Sequence, residues 1–444
     1  MNTSLLSTAK ILINTPFFGK AFESILTRLN FFFKVINPFT KWEVSSQIKD
    51  LGCRIQSEEI PKSGKKSKHI IVVSRFFMQN QISGVNFTLA ILSFALVRRG
   101  YKVVVLTESS RLWEKTIEIN GLTIVGIPMS FFKTERGLPA YYGIWSRAVA
   151  KKISKIENQS DIVTISTLAG LEGYATSKIS PNVKQVVYLV TDHLIHNGQM
   201  KPGPARTPRL EKLKSAEVNY LGNPNVVTIG DSDVIIQDLA YVLELDSLLN
   251  KSKTIRIGIP WNYGENKSLF NEPYILYVGS VSHRKGVGTL LSAWDEIYDH
   301  VSINGYKLII CGPVGDDSAS ETRISECSVE RNIVRIVGAT EQVKGTLFRH
   351  TSLIVIPSNY ESFGMVAVEA MQFGKKIIAS RIGGLPEVLG PCALYFEAGI
   401  HKDLAKLIVS SISSSELTGA DAIMARAKKF GVSQMCLEFE RNFD

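Results

Sequence analysis

The chain of 444 residues has few cysteines. Cys53, Cys311, Cys327, Cys392 and Cys436 are scattered, with no short pair spacing. That scatter excludes a disulfide framework and the ligand spacings of structural zinc, so free thiols in a reducing compartment are expected. Long apolar runs are missing too. No stretch approaches the ~20 apolar residues that a membrane-spanning helix needs. The opening Met1-Asn-Thr-Ser lacks a charged segment followed by an apolar core, so no secretory leader is expected. No internal repeat or low-complexity tract stands out, which argues against a solenoid. Acidic charge is in the minority: 51 Lys and Arg stand against 41 Asp and Glu, a net charge of +10. A basic balance suits phosphate-bearing ligands, anionic lipid or nucleic acid and does not choose among them. The basic residues form no nucleic-acid recognition motif, so no nucleic-acid partner is expected.

What is present is a globular composition, 45% hydrophobic and 21% charged, in a chain too long for one average domain. Residues 1–68 read as a basic, aromatic extension. They carry 11 Lys and Arg against 5 Asp and Glu, with Phe17, Phe18, Phe22 and Phe31-Phe-Phe33 among them. Lys62-Ser-Gly-Lys-Lys-Ser-Lys68 reads as a polar linker. A first α/β domain is expected over 69–265. It starts with the strand His69-Ile-Ile-Val-Val-Ser74, a helix from Val85 to Arg99 ended by Gly100, and the strand Lys102–Thr107. Further strands are expected at Thr123–Ile127, Asp161–Ser166, Gln185–Val190 and Asn225–Ile229. Lys201–Pro208 reads as a proline-rich loop. A second series of strands begins at Tyr274–Val278 and continues through Lys307–Cys311, Ile333–Val337, Leu353–Ile356 and Lys376–Ser380. Helix-length segments separate these strands, so a second doubly wound domain is expected over 266–444.

Two motifs in that second half carry chemistry. In Ser358-Asn-Tyr-Glu361-Ser-Phe-Gly364-Met-Val-Ala-Val-Glu369, two carboxylates lie eight residues apart across a loop-to-helix junction. The loop sits at the carboxyl end of a strand, where open α/β sheets bind ligands. The N–H groups of Gly364, Met365 and Val366 open the helix and favour an anion. In Tyr277-Val-Gly279-Ser280-Val-Ser-His-Arg284-Lys285-Gly286, a strand ends at a glycine, two cations follow, and a helix starts. That arrangement serves a diphosphate. It is not a Walker loop, because the Gly-Lys-Ser/Thr ending is missing. The bland alternative is a solvated surface loop.

Glu361 and Glu369, Gly374, and Gly279 with Lys285-Gly286 resemble the retaining glycosyltransferases of family 4, which have the two-domain GT-B fold. The likeness covers about residues 69–443 and is strongest over 274–390. It implies two Rossmann-like doubly wound domains facing a central cleft, with the C-terminal helix crossing back. It also implies roles. Glu361 would bind a donor-sugar hydroxyl and Glu369 the ribose hydroxyls. Lys285 and Arg284 would hold the diphosphate and stabilise it as it leaves. Ser83, Gly84 and the amides of Gly364, Met365 and Val366 would close on sugar and phosphates. Gly279 and Ser280 would line the phosphate turn, and Val337 and Gly338 would lie near the base. His193, beside Asp192, would serve near the anomeric carbon, with His196 a weaker rival. Two departures stand out: Ser280 occupies a place where the family often has Arg, and Asp192-His193 reverses its common order.

The resemblance implies transfer from a nucleotide-diphosphate sugar to a glycan or lipid-linked acceptor, with no metal and no cofactor. Cell-surface polysaccharide or glycolipid assembly is the pathway it brings with it. Another GT-B activity, an epimerase or phosphorylase, is the enzymatic alternative. A non-catalytic nucleotide-sugar-binding scaffold is the other. Asp231-Ser-Asp233 mimics a metal-binding Asp-x-Asp, but its place after a strand favours a turn or helix cap. Gly315-Asp-Asp317 reads as a surface turn. Phe131-Phe-Lys133, Arg136, Tyr141-Tyr142, Trp145, Arg147, Lys151, Lys152 and Lys155 combine aromatic and basic residues, as does the stretch 1–36. Both offer a surface for an anionic membrane, so a cytoplasmic protein touching the membrane face is expected.

Overall fold

A computed structural model describes residues 45–64, 68–75, 77, 84–109, 114–128, 139–156, 161–167, 182–190, 207–260, 267–413 and 419–443. Its first sheet has eight strands: β1 His69–Val73, β2 Lys102–Ser109, β3 Lys115–Ile119, β4 Leu122–Pro128, β5 Ile162–Ser166, β6 Lys184–Leu189, β7 Val226–Gly230 and β8 Lys253–Thr254. Their order is β3-β4-β2-β1-β5-β6-β7-β8. His69 of β1 pairs in parallel with Lys102 of β2 on one side and with Ile162 of β5 on the other. Only β3 runs antiparallel, against β4. The sequence reading misses β3, although Asn120-Gly121 at its end is a strong two-residue hairpin signal. Both turn residues have positive φ, 48° and 80°. Helices α1 Ser46–Gln56, α2 Gly84–Arg99, α3 Pro139–Ile153, α4 Pro208–Gly222, α5 Asp233–Leu243 and α6 Ser247–Lys251 belong to this half.

The second sheet has six strands: β9 Tyr274–Val278, β10 Lys307–Cys311, β11 Ile333–Ile336, β12 Leu353–Ile356, β13 Ile377–Ser380 and β14 Leu394–Phe396. All are parallel, in the order β11-β10-β9-β12-β13-β14. Helices α7 Val287–Ile303, α8 Ser318–Cys327, α9 Glu341–His350, α10 Met365–Gln372, α11 Leu385–Leu389, α12 His401–Ser413, α13 Ala420–Ala427 and α14 Val432–Glu440 connect or follow these strands. The strands read as continuous apolar runs because both sheet faces are covered; β12 is buried throughout. The strand order reverses between β9 and β12, and that switch point is where such sheets open a crevice.

Several features join the halves. Helix α1 is capped by Ser45, whose Oγ accepts from Ile48 N at 3.4 Å. Its apolar face, Ile48, Leu51 and Ile55, is buried in the same cluster as Leu89, Leu92 and Leu96 of α2. Ser63, within the stretch expected to be a polar linker, donates to Glu440 and takes a backbone bond to Arg99. At the other end, α14 lies on α2. Glu440 pairs with Arg99 and accepts from Tyr101 OH at 2.5 Å. Phe439 meets the Tyr188 ring edge-on at 4.9 Å between centroids. One continuous buried cluster therefore runs from Ile70 and Val72 through Ile257, Val432 and Phe439 to Leu276 and Phe363.

Candidate functional site

The switch point places the two sequence motifs side by side. After β9, residues His283–Lys285 form a single tight turn that ends at Gly286 in the left-handed region, φ 68°. A Cβ at Gly286 would stand 1.9 Å from Pro357 O, so the loop after β9 rests directly on the loop after β12. Backbone bonds fix the contact: Arg284 O accepts from Asn359 N at 2.8 Å and Tyr360 N at 3.3 Å. Asn359 Nδ2 donates to His283 O at 2.7 Å.

Side chains complete the pairing. Lys285 Nζ donates to Glu361 Oε2. Arg284 Nη1 donates to Tyr360 O at 3.2 Å and lies 3.7 Å from Glu361 Oε1. Burial pushes the Glu361 carboxyl up, but Lys285 and Arg284 more than offset it and hold the group below the usual carboxylate range. Burial also pulls the Lys285 ammonium down, and Glu361 only partly restores it. The result is two cations fixed by one carboxylate in a largely buried seam.

The sequence reading misses what braces this seam. Asp316 Oδ1 accepts from His283 N at 3.1 Å. Asp317 is buried and caps α8 by accepting from Ser320 N at 3.0 Å. Gly315 and Asp316 are exposed, as a surface turn requires, while the buried Asp317 and the Asp316 carboxylate also brace the cationic turn. Gly383 and Gly384 press on Glu361 O and Ser362 O from the far side, since a Cβ on either would lie 2.0 Å away.

Glu369 sits on α10, 3% exposed. Lys344 Nζ donates to it at 2.7 Å and also meets Glu341 at 2.9 Å. Arg54 of α1 reaches the same Glu341 at 3.0 Å and donates to Pro260 O at 3.0 Å. Nothing in the sequence marks Lys344, because no local spacing signals a lysine that neutralises a residue 25 positions away. Gly364 has φ 91° and opens α10, so the amides of Met365 and Val366 stand at a free helix start. Met365 Sδ lies 3.7 Å from Thr88 Oγ1 on the first turn of α2, which begins at Gly84. The N-terminal ends of two helices, one from each half, therefore lie side by side.

Gly279 continues the sheet by donating to Cys311 O at 2.9 Å, and Ser280 O accepts from Tyr277 OH at 2.7 Å. Val337 and Gly338 follow β11, and Val337 is 53% exposed. Ser83, Asp192, His193 and His196 lie outside the described residues, as do 1–36, Phe131–Lys133 and Arg136. Of the residues expected to offer a membrane surface, Trp145 is fully buried with Ile71 and Val149, while Arg147, Lys151 and Lys155 are exposed. Asp231-Ser-Asp233 is a helix start, Ser232 Oγ accepting from Ile235 N at 3.3 Å. Among the described residues no cluster of His, Cys, Asp and Glu is arranged to hold a metal, and no helix is long and apolar enough to cross a membrane.

Residues 264–429 match the family model described as Glycosyl transferases group 1. An uncharacterised glycosyltransferase of Methanocaldococcus jannaschii is 25% identical over 67% of this chain and 76% of its own length. The D-inositol 3-phosphate glycosyltransferase of Corynebacterium glutamicum is 26% identical over 40% of this chain, a match spanning about half its length (46%). Among solved structures, sucrose-phosphate synthase from Thermosynechococcus elongatus superposes with a TM-score of 0.65 at 18% identity, covering 84% of this chain and 98% of that one. An Anabaena protein in complex with UDP and glucose, HepE, gives 0.62 at 16% identity over 84% and 98%. The fold is GT-B.

Proposed function

We propose that this chain is a glycosyltransferase that moves a sugar from a nucleotide-diphosphate donor to a glycan or lipid-linked acceptor, with retention of configuration. One observation carries the reading: Arg284 and Lys285 are fixed against Glu361 at the switch point, next to the N-terminus of α10. The match to the glycosyltransferase family over 264–429 supports it. So does the shared fold of a protein crystallised with UDP and glucose.

Breaking an anomeric C–O bond to a diphosphate leaves positive charge on the sugar and negative charge on the leaving group. Fixed cations and helix N-termini aimed at the leaving phosphates stabilise that separation more than they stabilise the bound donor. A diphosphate at this seam competes with Glu361 for Lys285 and Arg284. Glu361, drawn off its partner, then accepts a hydrogen bond from a sugar hydroxyl. Glu369, oriented by Lys344, binds the ribose, and Val337-Gly338 lines the base. His193 is assigned the anomeric side on the resemblance alone. No enzyme nucleophile is needed: the carboxylates bind and orient, unlike the acid and nucleophile of a glycosidase. The domains are taken as 69–265 for the acceptor and 266–444 for the donor. The exposed Arg147, Lys151 and Lys155 fit contact with an anionic membrane in cell-surface polysaccharide or glycolipid assembly.

The test incubates the full chain with a panel of nucleotide sugars and measures nucleoside diphosphate release. One donor should be turned over, and Lys285→Ala should lower the rate by ~10²–10³-fold. Arg284→Ala should weaken donor binding about as much as Lys285→Ala. Absence of both binding and release across the panel overturns the reading.

A further inference from the structure

The geometry points to Asp231 as a positioning residue for the Glu361 loop: its carboxyl donates a hydrogen bond to Ser362 across the junction of the two sheets and so fixes where Glu361 stands. The inference deepens the reading of Glu361 and Lys285 as a donor site and rests on it for its catalytic meaning.

Asp231 follows β7 and is fully buried. Its backbone N donates to Leu189 O at 3.0 Å, so it extends the first sheet. Ser232 Oγ donates to Asp231 Oδ1 at 3.1 Å. Ser362, the residue after Glu361, has its Oγ 2.7 Å from Val190 O and 3.3 Å from Asp231 Oδ2. A serine hydroxyl has one hydrogen, and a carbonyl can only accept. That hydrogen goes to Val190 O, the nearer atom. The remaining contact is then satisfied by a hydrogen on Asp231 Oδ2, donated to the Ser362 lone pair. The surroundings agree. Burial pushes the Asp231 carboxyl well above its ordinary value and the acids Glu361 and Glu387 add to it, outweighing the opposite pull of the Ser232 and Ser362 hydroxyls. Tyr188 of β6 faces it as a buried neutral phenol, its OH bonded to Ile255 O. Arg256, which pairs with Glu387 at 2.5 Å, is taken up there. Asp233 lies farther out, with its backbone N bonded to Glu387. The Asp-Ser-Asp triplet that imitates a metal motif is therefore one acid that carries a proton, one cap and one surface acid.

The sign of the pH effect follows. A raised folded pKa means the folded chain holds a proton that the unfolded chain releases above ~3.9. The stability from Asp231 is complete below that value and is lost as pH rises towards the folded value. Urea unfolding of the full chain and of Asp231→Asn between about pH 5 and pH 8 reads this directly. Below the folded pKa, the wild-type folding constant should fall by up to about tenfold per pH unit relative to the variant. Parallel curves overturn the inference. A second arm measures binding of UDP, with ADP and GDP in parallel, by calorimetry. Asp231→Ala and Ser362→Ala should weaken binding about fivefold or more, with Asp231→Asn closer to wild type because an amide still donates. Equal damage from Asn and Ala also overturns it. If the pH arm behaves as stated and wild type binds none of the three nucleotides, the sugar-donor reading fails while the Asp231 bond stands.

Discussion

Lys285 and Glu361 neutralise each other at the seam between β9 and β12, and each is costly to bury alone. Glu361→Gln leaves Lys285 without its counter-ion, which should cost about 3–5 kcal/mol of stability and weaken donor binding. The pH dependence follows from the depressed Glu361 value. Its contribution is complete above ~4.3 and disappears as pH falls through the folded pKa. Melting curves in the acid range should therefore drop more steeply for wild type than for Glu361→Gln; coincident profiles would count against the pairing. At this scale the sequence was partly legible. Glu361, Lys285 and Arg284 announce themselves by spacing around glycines and strand ends. Lys344 does not, and Asp316 and Asp231 stand out only as members of Asp-rich turns, because the partners that give all three their roles are remote in the chain and only the fold brings them together.

Among elements, the two loops of the site are held by absence of side chain. Gly286 and Gly383 both have positive φ and stand against a carbonyl, Pro357 O and Glu361 O respectively. Gly286→Ala should push the β9 loop off the β12 loop, lowering stability by about 1–3 kcal/mol and abolishing donor affinity more completely than the stability loss explains. Calorimetric binding beside a thermal melt separates the two effects; an alanine variant that binds normally would show that the contact is dispensable. Strands and helices of the second half were readable because apolar runs and helical segments alternate with glycine punctuation. Helix α1 is hard to see within the extension, although Ile48, Leu51 and Ile55 recur at helical spacing behind a Ser45 cap. Its short apolar face only acquires meaning once α2 supplies the surface it covers.

Across the whole molecule, the two sheets were legible as two αβ series. What ties them together was less so. Glu440, near the chain end, meets Arg99, Tyr101 and Ser63 in one buried knot. Removing a partner from such a knot leaves a buried charge unpaired, so Glu440→Ala should lower stability by about 3–5 kcal/mol. The same variant should expose α14 to limited proteolysis while α7 to α12 stay protected. Unchanged cleavage and melting would mean that the helix is held by its apolar face alone.

Helices α2 and α10 start beside each other across the junction, with Met365 against the first turn of α2. Their aligned peptide dipoles present like partial charges, each roughly half a proton's worth. The two halves thus repel mildly at the very place where they meet. An anion lodged between them turns that repulsion into attraction on both sides. The donor's phosphates would then act as mortar as well as cargo: the cleft would be tightest while they are held and would slacken once the nucleotide departs.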